Sequence, residues 1–138
     1  MVLDLYSRRV VGWAFGTELT AALARAALQM ALHHRRPQAG LLHHSDRGGQ
    51  YASTDYRALL AAHGLVASMS RTGNPYDNAA MESFYATLKI ECLHRQELAT
   101  RTEARAVTFD YIEAFYNRER IHSALGSKSP VDFEQPLN

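Results

Sequence analysis

The sequence predicts a single α/β domain in which helices cover the faces of a mixed β-sheet. Its 138 residues are enough to bury one hydrophobic core but not two. Short β-branched and aromatic runs alternate with longer Ala- and Leu-rich segments, which is typical of strands followed by helices. No Pro- or Gly-rich linker and no internal repeat divides the sequence. The predicted element order is therefore β-β-α-β-α-β-α-α within one domain, residues 1–138.

Two runs rich in β-branched and aromatic residues, 1–6 and 10–15, open the chain. Only Ser7-Arg8-Arg9 separates them, and so short a connection predicts a β-hairpin. Asp4 lies shortly before this connection in the sequence. Asp side chains accept hydrogen bonds from backbone N–H groups in turns. We therefore expect Asp4 to stabilise the turn.

The next segment, residues 20–34, repeats its apolar residues at helical spacing. Thr17 or Thr20 can cap this helix, and Pro37 ends it. Residues 41–44 are apolar or aromatic enough to form a short strand after the helix. The pattern thus predicts a helix that leads into the third strand.

A second helix and a fourth strand follow. The helix begins at a cap, Ser53 or Thr54, and ends before Gly64. Residues 65–69 form the strand, and turn-forming residues at 70–76 separate it from the next helix.

Two longer helices and one short helix make up the rest of the chain. The first begins at a cap, Asp77 or Asn78, and runs to about Cys92. The second spans about residues 102–118, where the apolar residues make an amphipathic pattern. Ser129-Pro130 places a capping residue before a proline, which predicts a short terminal helix.

Composition and charge narrow the class of function only weakly. Fifteen Lys and Arg residues against fourteen Asp and Glu residues give a net charge of +1, which does not favour nucleic acid as a partner. The single cysteine, Cys92, excludes an intrachain disulfide and fits a reducing compartment. No apolar run reaches the roughly 20 residues that a membrane helix needs, and the first residues do not resemble a signal peptide. We therefore expect a cytoplasmic protein with no membrane contact.

Two carboxylates near the middle of the chain, Asp46 and Glu82, are the strongest functional signal. Asp46 follows a predicted strand at the sheet edge where α/β folds bind ligands, and Glu82 lies in the first turn of a predicted helix. Lys89 is seven residues beyond Glu82, so both lie on one face of that helix. Taken singly, each is an ordinary turn, helix or surface residue. Together they indicate metal binding at one end of the helix and phosphate contact at the other.

Pairs of adjacent histidines do not predict a zinc site. His33 and His34 point about 100° apart on a helix. His43 and His44 alternate across a strand, so only one of them can face Asp46. No cysteine cluster adds further ligands, and we do not expect structural zinc.

Several stretches resemble one protein family, and together they cover essentially the whole chain. These stretches are 2–13, 43–51, 68–79, 77–89, 116–126 and 129–133. They are similar to the catalytic core of insertion-sequence transposases of the DDE superfamily, a core built like that of retroviral integrases and encoded by a second reading frame. The resemblance implies an RNase H-like fold. It also implies metal-dependent DNA strand cleavage and strand transfer.

The resemblance further implies roles for individual residues. Three carboxylates would hold two Mg²⁺ or Mn²⁺ ions, with Asp46 and Glu82 as two of the three catalytic carboxylates. Lys89 would contact a DNA phosphate. The other DNA contacts that the resemblance implies are Arg71, Asn74, Asn78, Arg120 and His122. For Asn74 and Asn78, turn and cap roles are equally good interpretations.

In the family, the first catalytic Asp lies on a strand upstream of the hairpin that opens this chain. Asp4 maps to the second strand and is better explained as a turn residue. We therefore expect the RNase H-like sheet to lack its first, central strand, which would leave the hairpin without a hydrogen-bonded neighbour. A misassigned start, a truncated remnant and a partly frayed fold all stay open.

The expected function is DNA transposition and integration in the bacterial cytoplasm, at the nucleoid. The expected partners are terminal inverted repeats, target DNA, further copies of the chain, and a separate or fused DNA-binding transposase subunit. Two alternatives stay open. One is a non-catalytic remnant that binds DNA or intact transposase, and the other is an RNase H-like nuclease that cuts DNA without joining it.

Overall fold

The computed structural model describes residues 1–45, 48–69, 79–95 and 97–135. The chain divides into two compact units. The first unit comprises residues 1–2 and 11–79, and the second comprises residues 3–10 and 80–138. Among the described residues, no helix combines the length and the hydropathy that crossing a membrane requires. That the whole of 1–138 is one domain stays a prediction.

The described residues form a mixed α/β structure, as the sequence predicts. The strands are β1 (Val2–Leu3), β2 (Val10–Gly12), β3 (Leu42–Ser45) and β4 (Val66–Met69). The helices are α1 (Ala21–Arg35), α2 (Gly49–Ala52), α3 (Thr54–Ala62), α4 (Ala79–Glu91), α5 (Arg101–Asp110) and α6 (Pro130–Glu134). A π-helical segment (Tyr111–Tyr116) continues α5, and single 3₁₀ turns lie at Leu93–Arg95 and Ser123–Leu125. Within this part of the chain, β1 pairs with β2 and β3 pairs with β4, in two separate two-stranded sheets.

The predicted hairpin is present, but its strands are shorter than predicted. The Asp4 carboxylate accepts hydrogen bonds from the backbone N–H groups of Tyr6 at 2.8 Å and Ser7 at 3.2 Å. Arg8 completes the turn in the left-handed region, at φ 64°. These bonds confirm the predicted turn role of Asp4. They also explain the short strands, because the chain leaves the extended conformation at Asp4 rather than after residue 6.

In the part of the chain that the structure describes, the hairpin pairs with no third strand, and a side chain bonds to its backbone instead. The side chain of Asn117 accepts from the Val10 N–H at 2.9 Å and donates to the Val10 carbonyl at 3.0 Å. A side-chain amide presents one donor and one acceptor side by side, as a neighbouring strand would. Asn117 and Val10 are 2% and 3% exposed, so water does not replace these bonds. Ser7 and Arg9 make two further bonds to the Glu134 carboxylate, at 2.6 and 2.9 Å.

The first unit is built on α1 and α3. The Thr20 hydroxyl accepts from the Leu23 N–H at 3.1 Å, and the Ser53 hydroxyl accepts from the Tyr56 N–H at 3.2 Å. Two of the predicted caps are therefore confirmed. The buried cluster that joins the two helices to the strand after them consists of Leu28, Leu32, Tyr56, Leu60 and Leu65.

Strand β2 lies directly against α1, and this approach requires a glycine. A Cβ atom added to Gly12 would lie 2.1 Å from the carbonyl oxygen of Ala27 and 2.9 Å from the Cβ of Ala31. No side chain fits that space, because the nearest atom belongs to the helix backbone. Gly12 therefore allows the end of β2 to approach α1 closely within the first unit.

The second sheet pairs β3 and β4 in parallel. Its register joins Leu42 to Val66, His43 to Ala67, His44 to Ser68 and Ser45 to Met69. The connection between the strands contains α2, which the sequence did not predict, and α3, which it did. Because the strands are parallel, Ser45 and Met69 lie side by side at the same edge of the sheet, where both strands end.

The predicted single helix over 102–118 is instead α5 followed by the π-helical segment. The Asn117 N–H donates to the Ile112 carbonyl five residues earlier, at 3.0 Å. In an α-helix, residues five apart do not share a face, yet Tyr111 and Tyr116 are both buried. The wider π turn brings them to the same side, and the Tyr116 ring packs edge-on against Phe84 of α4 at 4.9 Å.

We expect Asn117→Ala to lower the free energy of unfolding by about 2–4 kcal/mol. The change leaves the N–H and the carbonyl of Val10 buried without these partners, and each such group costs roughly 1–3 kcal/mol. Urea unfolding followed by circular dichroism measures the loss.

Gln29 on α1 is exposed and provides the control. Gln29→Ala also removes an amide, and it should change the free energy of unfolding by less than about 0.5 kcal/mol. If Asn117→Ala were as stable as the Gln29 variant, the amide would not support the hairpin.

Candidate active site

The described residues contain four of the eight predicted site residues. Glu82, Lys89, Arg120 and His122 are described, all in the second unit. Asp46, Arg71, Asn74 and Asn78 lie outside the described residues. The predicted meeting of Asp46 with Glu82 therefore stays a prediction.

The predicted site residues of the first unit follow the strands that end at the carboxyl edge of the β3–β4 sheet. Asp46 follows Ser45 directly in the chain, and the segment with Arg71, Asn74 and Asn78 begins just after Met69. Ser45 and Met69 are register partners. The two chain segments that carry predicted site residues thus leave adjacent positions of one sheet edge, the edge at which α/β sheets bind ligands.

The two histidines of β3 have different surroundings. The His43 Nε2 is 2.7 Å from the Tyr56 hydroxyl of α3, and burial, with a smaller contribution from His44, lowers the pKa of His43. The His44 Nδ1 lies 3.1 Å from the Ser68 hydroxyl of the paired strand. His43 is therefore a packed histidine that favours its neutral form.

Helix α4 has an apolar face and a polar face. Phe84 and Leu88 are buried, while Glu82 and Lys89 are exposed. Glu82 lies in the first turn of the helix and Lys89 in the last. The seven-residue spacing puts both on one exposed stripe, separated along the axis by about 10 Å. A carboxyl group and an amino group are therefore exposed along the same side of the helix, as the sequence predicts.

Arg120 is bound to a carboxylate that the sequence analysis did not identify. Its Nε and Nη2 donate to both oxygens of Glu91, at 2.8–3.0 Å. The Tyr111 hydroxyl donates to Glu91 Oε2 at 2.6 Å. These hydrogen bonds, led by the one from Arg120, lower the pKa of Glu91. Burial and the bond to Glu91 raise the pKa of Tyr111. We call these three side chains the Glu91 cluster.

The position of Glu91 explains why it needs this cluster. Glu91 is the last residue of α4, beside the negative end of the helix dipole. A carboxylate there is unfavourable unless a cation compensates for it, and Arg120 does so with a bidentate contact. In the sequence, the acidic residue at a predicted helix end is therefore the feature that could have indicated a compensating cation.

His122 packs against the same cluster. Its ring lies edge-on to Tyr116 at 5.1 Å, and its Nδ1 is 3.5 Å from Arg120 Nη1. Burial and the nearby guanidinium of Arg120 lower the pKa of His122. The Nε2 atom is buried and has no hydrogen-bond partner among the described residues. His122 is therefore held mainly neutral, next to a cation.

Among the described residues, no group of three or more His, Cys, Asp or Glu side chains could hold a metal ion. Of the two carboxylates predicted as metal ligands, Glu82 alone is described. Its chemistry fits a hard divalent cation, since it is an exposed carboxylate at a helix start.

Two family models match the chain. A model described as an integrase core domain matches residues 1–75, and a second model with the same description matches residues 63–130. Transposase InsF for insertion sequence IS3A of Escherichia coli is 50% identical over 134 residues, which are 97% of this chain and 46% of that protein. The insertion element IS600 uncharacterized 31 kDa protein of Shigella sonnei is 51% identical, over 97% of this chain and 49% of that protein. The chain spans about half the length of these relatives.

A solved structure shows the same fold. A chain in the cryo-EM structure of the simian T-cell lymphotropic virus intasome in complex with PP2A regulatory subunit B56 gamma has a TM-score of 0.67. The match is 15% identical and covers 86% of this chain and 41% of that chain. The RNase H-like α/β fold class is confirmed.

We expect Glu91→Gln to lower the free energy of unfolding at pH 7 by about 1–2 kcal/mol, because a charge-assisted bond is roughly twice as strong as a neutral one. The folded-state pKa of Glu91 lies below its ordinary value of 4.5. Its contribution is therefore complete above that value and is lost as the pH falls below it. Urea unfolding at pH 7 and at about pH 3 measures the difference between the two proteins.

The matched control is Glu97→Gln, at an exposed position. It should change the free energy of unfolding by less than about 0.5 kcal/mol at either pH. A Glu91→Gln effect that is absent at pH 7, or that is undiminished at about pH 3, would contradict the ion pair.

Proposed function

Because this chain belongs to the integrase core domain family, we propose that it forms part of the catalytic core of an insertion-sequence transposase. The reaction is metal-dependent cleavage of DNA at the ends of the element, followed by strand transfer. One observation carries the proposal: about half of the residues are identical to those of Transposase InsF across 97% of the chain. The RNase H-like fold supports it independently.

The family implies the use of a divalent metal, and we propose Mg²⁺ or Mn²⁺ bound by Asp46 and Glu82. Glu82 fits this role because its carboxylate is exposed in the first turn of α4. Asp46 fits it because it directly follows Ser45 at the carboxyl edge of the sheet. When bound, the ions supply Lewis acidity to the attacking and leaving oxygens at phosphorus.

Lys89 would orient the DNA by binding a phosphate on the exposed stripe of α4. Lys89 lies about two helical turns from Glu82 along α4, so the two residues can serve separate roles. A phosphate contact fixes the position of the duplex without reading its sequence. Arg71, Asn74 and Asn78 are proposed as DNA contacts on the segment that follows β4.

Arg120 and His122 are weaker candidates for DNA contact. Glu91 already occupies the Nε and Nη2 donors of Arg120, and Nη1 lies 3.5 Å from both the Ile121 carbonyl oxygen and His122 Nδ1. His122 is kept neutral by burial and by Arg120. If Arg120 and His122 contact DNA, they would do so while Arg120 stays paired with Glu91.

The proposed partners follow from the relatives. Two curated relatives are insertion-sequence proteins of bacteria, and the structural neighbour was solved as an intasome. We propose that the chain acts on terminal inverted repeats and target DNA in the bacterial cytoplasm, at the nucleoid. It would act there as an oligomer, with a separate or fused DNA-binding subunit.

We expect Glu82→Gln to abolish cleavage, with a loss of at least about 100-fold, because a neutral amide is a poor ligand for a dication. The test uses protein expressed with its in-frame upstream sequence and labelled terminal-repeat DNA in Mg²⁺. DNA affinity should stay within about threefold, since the carboxylate does not bind phosphate.

Glu97→Gln is the control and should cleave at the parental rate. Cleavage by the Glu82 variant at that same rate would refute the assignment of Glu82 as a metal ligand. Nicking without strand transfer by the unaltered protein would indicate a nuclease instead of a transposase.

The two lysines of the chain allow a matched test of the phosphate contact. We expect Lys89→Ala to reduce the slope of log affinity against log salt by about 1, because one phosphate contact is lost. Lys128 is exposed as well, and Lys128→Ala should leave the slope unchanged. Equal slopes for both variants would contradict a specific role for Lys89.

A further inference from the structure

Two contacts join one side of helix α4 to the segment that follows α5. Phe84, near the start of α4, is 2% exposed and packs edge-on against the Tyr116 ring at 4.9 Å. Glu91, at the end of α4, accepts hydrogen bonds from the Tyr111 hydroxyl at 2.6 Å and from Arg120. Glu91 is seven positions after Phe84. The two side chains therefore lie on one stripe of the helix, about 10 Å apart along its axis.

Both tyrosines belong to the π-helical segment. Tyr111 and Tyr116 are five positions apart in sequence, and their ring centroids are 6.0 Å apart. In a regular α-helix, residues five positions apart point about 140° away from each other. The π turn, whose hydrogen bonds span five residues, places both rings on one side instead. We call Phe84, Glu91, Tyr111 and Tyr116 the α4 clamp.

Two features of the α4 clamp are unusual for a contact that only buries apolar surface. A π turn is rare, and it occurs frequently at functional sites. Glu91 places a carboxylate at the unfavourable, negative end of the helix dipole. Burial requires neither feature, because the hydrophobic effect has no directional requirement. A hydroxyl–carboxylate hydrogen bond and an edge-on ring pair do have preferred directions, so the clamp restricts how α4 is oriented.

The rotation of α4 about its axis decides where the Glu82 carboxylate points. Glu82 is two positions before Phe84 and exposed, so it lies about 160° around the helix, away from the clamp. The helix with its side chains has a radius of about 5–6 Å, so a rotation of about 10° moves an outer atom by about 1 Å. Mg²⁺ requires near-ideal octahedral geometry, and functional groups must be held to within about 0.5 Å. Small rotations of α4 would therefore misplace a metal ligand at position 82.

We propose that Tyr111 and Tyr116 are positioning residues, which fix the rotation of α4 and thereby the direction of the Glu82 carboxylate. Their effect on the reaction is exerted through α4. Lys89, on the same stripe as Glu82, would be oriented together with it. The inference rests on the proposed function, because it takes Glu82 to be a metal ligand.

The first test compares Tyr116→Leu with Tyr116→Phe in protein expressed with its in-frame upstream sequence. Leucine keeps the position apolar but lacks the ring that meets Phe84, whereas phenylalanine keeps that ring. We expect Tyr116→Leu to weaken Mn²⁺ binding about 10-fold, since loss of support for a metal ligand costs roughly 10–100-fold. Tyr116→Phe should stay within about twofold of the unaltered protein. Electron paramagnetic resonance of free Mn²⁺ measures the dissociation constant without any reaction.

Tyr111→Phe tests the second contact. It keeps the ring beside Tyr116 and removes the hydrogen bond to Glu91. Because Arg120 still binds Glu91, we expect a smaller loss of Mn²⁺ affinity, about threefold, as suits one hydrogen bond. An unchanged dissociation constant in this variant would overturn the role of Tyr111.

A double-mutant cycle shows whether Tyr116 acts through Glu82. Glu82→Gln should itself weaken Mn²⁺ binding. Adding Tyr116→Leu to Glu82→Gln should cause no further loss, since the ligand that Tyr116 orients is already absent. Equal losses from Tyr116→Leu in both backgrounds, or no loss in either, would overturn the proposal.

Asn117→Ala is the control for a loss of stability alone. It removes the bonds to Val10, which belongs to the hairpin and not to α4. Mn²⁺ binding is compared at a temperature where thermal unfolding shows every variant to be folded. Asn117→Ala should there have the parental dissociation constant. A loss as large as that of Tyr116→Leu would indicate general destabilisation and contradict a positioning role.

The cleavage test separates this proposal from the proposed function. If Glu82→Gln abolishes cleavage while Tyr116→Leu binds Mn²⁺ like the unaltered protein, the proposed function stands and the positioning role fails. If Glu82→Gln changes neither cleavage nor Mn²⁺ binding, Glu82 is not a ligand and both proposals fail. Support for both would be a Tyr116→Leu protein that needs about 10-fold more Mg²⁺ for half-maximal cleavage, with its KM for DNA within about twofold.

Discussion

The parallel pairing of β3 with β4 constrains where the functional residues of the first unit can lie. Parallel strands begin at one edge of a sheet and end at the other, so their register sets two opposite chemical environments. Ser45 and Met69 are partners at the carboxyl edge, from which the segments containing Asp46 and Arg71 depart. At the amino edge, the loop after α1 is joined to the end of α3 and to the start of β4, because the Gly40 N–H donates to the Gly64 carbonyl and the Val66 N–H donates to the Leu41 carbonyl. The register therefore sends both segments away from the same edge of the sheet.

In the second unit, helix α4 depends on compensation of charge at its ends. Glu82 in the first turn is favoured by the positive end of the helix dipole, while Glu91 at the last residue is opposed by the negative end. The bidentate contact from Arg120 and the hydroxyl of Tyr111 offset that cost. Both partners come from the segment after α5, and the π turn that follows α5 buries Tyr111 and Tyr116 together. The helix that carries the proposed catalytic carboxylate is thus tied to the C-terminal segment.

Local patterns in the sequence were sufficient to predict most helices and strands, and several of the residues that cap the helices. Thr20, Ser53 and Ser129 each accept a hydrogen bond from the predicted helix, because capping involves residues two or three positions apart. The turn role of Asp4 was predictable for the same reason. The exposed stripe of Glu82 and Lys89 followed from helical periodicity alone. Motif strings predict site residues at Asp46 and in the segment after β4, and their meeting with Glu82 stays a prediction as well.

The sequence by itself determined the α/β class, the family resemblance and the identity of the candidate carboxylates, since these depend on short-range patterns and on the order of motifs. Tertiary structure alone decided that Asn117 pairs with Val10 across 107 positions, and that Glu91 pairs with Arg120 across 29. A buried polar group must find a partner, but sequence spacing does not say which one, because the chain can bring any complementary group to it. The π turn was likewise decided by tertiary structure. Burial of Tyr111 and Tyr116 on one side overrides regular helical hydrogen bonding.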